Sequence, residues 1–150
     1  MKNKLIISLL LTSFTSFGFY KPCNGQDGKN FINQNGEQGG FVSLTANVDE
    51  TVYLGKNVQI CDYSQVLERA QVTGNAVISG NAMIYGNAKV FGNTRVFDNA
   101  QIFEGASVWG NARVFGEAMV YGFAGLKDNV QVFGKARMFD ATYGGNARYF

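Results

Sequence analysis

From Thr45 to Asp140 the chain repeats a six-residue pattern without interruption, through 16 hexads. The middle hexads are nearly identical: NAVISG, NAMIYG, NAKVFG and NTRVFD. The fourth position is always aliphatic or Met, from Val48, Leu54 and Ile60 through Val96 and Ile102 to Leu126, Val132 and Met138. The second position is small or β-branched and most often Ala. Two residues apart on an extended strand, these positions face the same way. The sixth position is Gly, Asp, Glu or Lys, and the first is often Asn. Gly-Asn pairs are what corners with positive φ select. Each hexad therefore predicts a short strand and a corner, and three hexads close a triangular coil. One large and one small inward residue in every hexad suit a narrow coil and could not fill the space between two sheets.

Residues 45–140 resemble the hexapeptide-repeat superfamily, known from acyltransferases such as the enzymes of the lipid A pathway. The spacing from aliphatic to small residue matches that family. The residue after the aliphatic departs from it, because here it is usually aromatic and there it is Gly or acidic. In this respect the repeat is similar to the Asn-Ala-x-Val-Tyr/Phe-Gly arrays of phage-related and uncharacterised bacterial proteins. The resemblance implies an all-β fold, a left-handed parallel β-helix (solenoid) of about five triangular coils, and no specific activity.

The remainder of the chain divides around this array. Met1 to Lys4 is short and basic, and Leu5 to Tyr20 is uncharged and mostly apolar. That order is the signature of a secretory signal peptide, read as residues 1–18 with a plausible cut after Gly18, and an uncleaved N-terminal anchor is the alternative. Residues 19–44 read as a Gly/Asn-rich linker and N-terminal cap, and residues 141–150 as a C-terminal cap. Export places the protein at the cell surface, in the periplasm or outside the cell. Cys23 and Cys61 then meet an oxidising compartment. Two readings stand open for them, a disulfide pinning the leader to the repeat domain or two unpaired thiols.

The chain carries 13 Lys+Arg and 11 Asp+Glu, and Lys2 and Lys4 account for the difference. A neutral body lacks the positive field that nucleic acid requires, so no nucleic-acid partner is expected. It contains no His. Hexapeptide acyltransferases typically use a histidine base, and the related γ-class carbonic anhydrases hold zinc with three histidines. Neither set can be carried onto this chain, so no catalytic, cofactor-binding or metal-ligating residue is assigned and no cofactor is expected. Asp62, Glu68, Asp98 and Glu104 remain as carboxylate bases in principle. They stand at the corner position, where acidic residues serve turns and solubility.

The fifth position is the informative surface. One step from the inward aliphatic, it should point outward, and positions one coil apart should stack. Tyr85, Phe103, Tyr121 and Phe139 form one ladder, Phe97, Phe115 and Phe133 a second, and Phe91 and Trp109 a third that Lys127 interrupts. Such ladders stabilise neighbouring coils. Contiguous exposed aromatics also mark contact surfaces. The expected role is thus an exported, non-catalytic structural, self-associating or adhesive module, whose partner is another copy or another protein. A divergent acyltransferase lacking the usual histidine and a glycan-binding protein that uses the aromatic ladders are the alternatives.

Overall fold

A computed structural model describes residues 22–150. The signal segment read at residues 1–18 lies outside the described residues. The rest is all-β, a parallel solenoid of about six turns with three sheets. The chain visits the three sheets in strict rotation. After the hairpin strands β1 (Gly28–Ile32) and β2 (Gln38–Ser43) come β3 (Asn47–Val48), β4 (Tyr53–Leu54) and β5 (Gln59–Ile60). The rotation continues to β18 (Arg137–Phe139), β19 (Thr142–Tyr143) and β20 (Arg148–Tyr149). The first face contains β1, β2, β5 and every third strand to β20, the second runs from β3 to β18, and the third from β4 to β19.

Successive coils lie in parallel register 18 residues apart, as in Arg95 opposite Arg113 and Val96 opposite Val114. The N–H of a strand residue donates to the carbonyl of the coil above, as in Arg95 N to Ala112 O (3.0 Å) and Phe97 N to Val114 O (3.0 Å). Fourth-position side chains such as Ile78, Val96 and Ile102 are fully buried, and so are second-position alanines from Ala70 to Ala124. The small residue is required because the three strands of each coil converge on one axis and leave no room for a second large side chain in each hexad.

The solenoid is longer than the six-residue period indicates, at both ends. Residues 38–43 enter the first sheet, with Phe41 opposite Gln59 and Val42 opposite Ile60. Gly39 and Gly40 stand where later hexads carry Asn-Ala. A Cβ on Gly40 would lie 2.3 Å from the Val58 carbonyl oxygen, so even Ala does not fit. At the other end Gly125 faces Thr142 and Leu126 faces Tyr143, a separation of 17. One corner residue is missing, and Asp140 spans the gap by accepting the Phe123 N–H (2.9 Å). Residues 141–150, expected as a cap, thus form coil. Tyr143 and Tyr149 take inward positions there and meet edge to face at 5.2 Å, closing the core with rings.

At the opposite end, β1 pairs antiparallel with β2 and covers the edge of the first face. The edge of the third face is closed differently. Leu54 N–H donates to Asn33 Oδ1 (2.9 Å), and Asn33 Nδ2 donates to the Leu54 carbonyl (3.0 Å). A single buried amide replaces the missing strand there and satisfies both backbone groups. The leader is fixed by a Cys23–Cys61 disulfide with Cα atoms 5.3 Å apart. Cys23 N–H donates to Gln59 Oε1 (2.9 Å), and Asp62 N–H donates to Gln26 Oε1 (2.9 Å).

Ile102→Ala should lower the unfolding free energy by about 2–5 kcal/mol in urea titrations, because a sealed core cannot collapse around the void. Val96→Asp should abolish the far-ultraviolet β signal, since a lone carboxylate at that site has no partner. The disulfide closes a loop of 38 residues. Cys61→Ala should cost about 4 kcal/mol in the same titration, on the chain-entropy estimate for such a loop.

Candidate functional site

The fifth-position rings stand in columns along the solenoid axis. Tyr85 and Phe103 stack at 4.9 Å with planes 1° apart, Phe103 and Tyr121 at 5.2 Å, and Tyr121 and Phe139 at 5.8 Å. This column follows the second face. On the first face Phe97 and Phe115 stack at 4.8 Å, and Phe115 and Phe133 at 5.1 Å. On the third, Phe91 and Trp109 stack at 5.7 Å. The spacing is that of stacked strands, so the backbone sets it. Each such pair contributes about 0.5–1.5 kcal/mol beyond its buried area.

Stacking determines what the columns can do. A ring with neighbours above and below has both faces covered and offers only its edge. A sugar that stacks needs an open face, so only terminal rings can receive one. The interior rings are half-buried, while Phe91 and Phe139 at column ends are exposed. The first-face column extends one ring further than expected, because Phe150 stacks on Phe133 at 5.5 Å. The sequence obscured it, since the short corner at Asp140 moves Phe150 off the 18-residue spacing. Arg148 adds its guanidinium over the Phe133 ring at 5.2 Å. Burial, then the Glu104 and Glu68 carboxylates, push the Tyr85 phenol above its ordinary pKa. The neutral hydroxyl donates to Gln101 Oε1 (3.4 Å).

The corner carboxylates are engaged with the backbone. Asp62 Oδ2 accepts from Gly80 N–H (2.9 Å), Asp98 Oδ2 from Gly116 N–H (3.1 Å) and Glu104 Oε2 from Gly122 N–H (2.8 Å). Asp128 binds Gly145 N–H in the same way (3.0 Å). All four acids have φ between 56° and 60°, a conformation that L-residues enter at a cost. The hydrogen bond to the next coil offsets it. The glycine above Asp98 has no room for a side chain, because a Cβ on Gly116 would lie 2.9 Å from Gly134 N in the coil above it. Glu68 has the same backbone conformation, and its own N–H is bound by Asp49 Oδ2 (2.8 Å). The four candidates for a carboxylate base thus stand two coils apart on two corner columns, Asp62 with Asp98 and Glu68 with Glu104, and three of the carboxylates bind the N–H of the coil above.

Side-chain amides form a further column. Asn57, Asn75, Asn93, Asn111, Asn129 and Asn146 pass side-chain amide hydrogen bonds up one exposed corner, each amide nitrogen donating to the next amide oxygen at 2.9–3.3 Å. Turn preference alone explains Asn at the first position and does not announce the ladder. Applying the coil spacing to that position, as to the aromatics, identifies the ladder. Among the described residues one ion pair forms, Lys135 with Glu117 at 3.8 Å, and both side chains are well exposed. No group of three His, Cys, Asp or Glu side chains among them is placed to hold a metal ion.

Several hollows interrupt this regular surface, and two of them exceed 500 Å³. One, of about 540 Å³, lies at the N-terminal end beside the outer edge of β3, between Phe31, Ile32, Leu44 and Val48. The other, of about 520 Å³, lies on the first face between the leader and Phe97. No family model matches the chain, and no curated protein or solved structure does either.

Asp98→Ala should lower stability by about 1 kcal/mol in urea titrations, less than a buried charged hydrogen bond because the site is exposed. Asp98→Asn keeps an acceptor for the Gly116 N–H and should recover most of that loss.

Proposed function

We propose that the chain is an exported, non-catalytic β-solenoid that serves as a rigid structural or adhesive module and associates with copies of itself side by side. One observation carries this reading. Two uninterrupted columns of stacked rings, Tyr85 to Phe139 and Phe97 to Phe150, present hydrocarbon edges along two flanks of the same prism. A straight rank of half-exposed rings at a fixed repeat matches the same rank on a second prism, and burying both removes apolar edge from water. Head-to-tail growth has less in its favour, because β1 and Asn33 close two of the three strand edges at the N-terminal end.

The disulfide supports the exported location, since such bonds persist in oxidising compartments. The hexapeptide-repeat lineage with its left-handed coil belongs to the same reading. It is supported by hexads of two-residue strands and by the 18-residue turn. An acyl-transfer role gains nothing from the corner carboxylates, which serve backbone N–H groups.

The test is solution mass by light scattering across protein concentrations. The full chain should form a small closed oligomer, and the double variant Phe115→Ser, Tyr121→Ser should run as a monomer with its β signal retained. A wild-type chain that stays monomeric at every concentration would overturn the proposal.

A further inference from the structure

The first-face column of fifth positions reads Ser43, Cys61, Ser79, Phe97, Phe115, Phe133 and Phe150 in coil order. Its rings begin at Phe97. Below, at Cys61, the column is covered by the leader through the disulfide. Between them Ser79 leaves a rung empty, one ring thick, and there lies the cavity of about 520 Å³. Phe97 is covered by Phe115 on its upper side alone, so its lower face lines this slot. Val77 and Ser79 make the floor, and the polar rim is Asn24, Gln26, Asp62, Arg95 and Asp98.

We propose that this slot binds one pyranose ring of a neutral saccharide, stacked on the open face of Phe97. The inference goes beyond the assembly reading and does not depend on it. The volume lies within the range of small-molecule sites. The weakly positive C–H face of a sugar complements the negative face of the Phe97 ring. The rim supplies what vicinal hydroxyls need, since each hydroxyl both donates and accepts: carboxylate acceptors, guanidinium donors, and side-chain amides that do both. An aromatic ligand leaves those groups unused. An anion meets Asp62 and Asp98, and a cation meets Arg95, so a neutral polyhydroxyl ring fits best.

The slot is preorganised. Asp62 and Asp98 are held by the Gly80 and Gly116 amides, and the Gln26 side-chain amide donates to the second oxygen of Asp62. Phe97 cannot tilt without breaking its stack on Phe115. Walls fixed before binding lower the entropic cost of capturing a small ligand.

The experiment titrates the isotope-labelled full chain with maltose, cellobiose and N,N′-diacetylchitobiose, following backbone amides by NMR. At least one sugar should shift the amides of Ser79, Gly80, Arg95 and Phe97 and leave those of the second face unmoved. Ser79→Phe supplies the missing rung and should abolish those shifts with the melting temperature equal or higher. Arg95→Ala changes an exposed side chain and should weaken binding at least tenfold, which keeps the test decisive if Ser79→Phe does not fold. The proposal is overturned if none of the three sugars shifts these amides up to its solubility limit, if Ser79→Phe binds as the parent does, or if phenylalanine amide occupies the slot where the sugars do not.

Discussion

The hydrogen bond from one coil to the next is the constraint on which the rest depends. From β3 onward each strand holds only two or three residues, too few to form a sheet with neighbours in sequence. Its partners are the equivalent residues one turn away, bound through contacts such as Phe97 N to Val114 O. Once that register is fixed, every position meets its own equivalent overhead. Aliphatic side chains then stack into a core, rings into columns and amides into a ladder. A feature is strong where consecutive coils repeat the same residue type, and it stops where one coil departs, as at Lys127 or Ser79.

This explains how much of the molecule could be read from the chain. The inward residues, the corner glycines and the aromatic columns follow from period alone, because identical residues at a fixed interval leave one economical arrangement. The ends resisted. Gly39-Gly40 performs the task of Asn-Ala under tighter packing, so pattern matching starts a hexad late. Asn33 closes a strand edge 21 residues away by imitating backbone, and no local preference announces that. The single missing residue at Asp140 moves Phe150 out of phase with the rings it joins. At the ends, each miss occurs where a tertiary requirement replaces the repeat.

The site followed the same division. The ring columns were visible as residues, but their function turned on geometry, because stacking covers the faces that a ligand would use. Attention therefore moves from the ladder to its interruption, where Phe97 has one face free. The slot could not be read from composition, since Ser79 is unremarkable until the leader is seen lying across the coil beneath it.

The corner carboxylates impose a grammar on how such a protein can lengthen. Asp62, Glu68, Asp98, Glu104 and Asp128 are each overlain one coil later by a glycine: Gly80, Gly86, Gly116, Gly122 and Gly145. A gene duplication that copies one hexad rotates every later strand onto the wrong face. Copying one whole coil restores the faces, and where the copied corner is acidic it replaces the glycine above that acid with a second acid. Copying the coil of residues 75–92, whose corners Gly80, Gly86 and Gly92 are all glycine, leaves every acid beneath a glycine. Arrays of this type are thus expected to lengthen one turn at a time, by copies of the coils whose corners are all glycine.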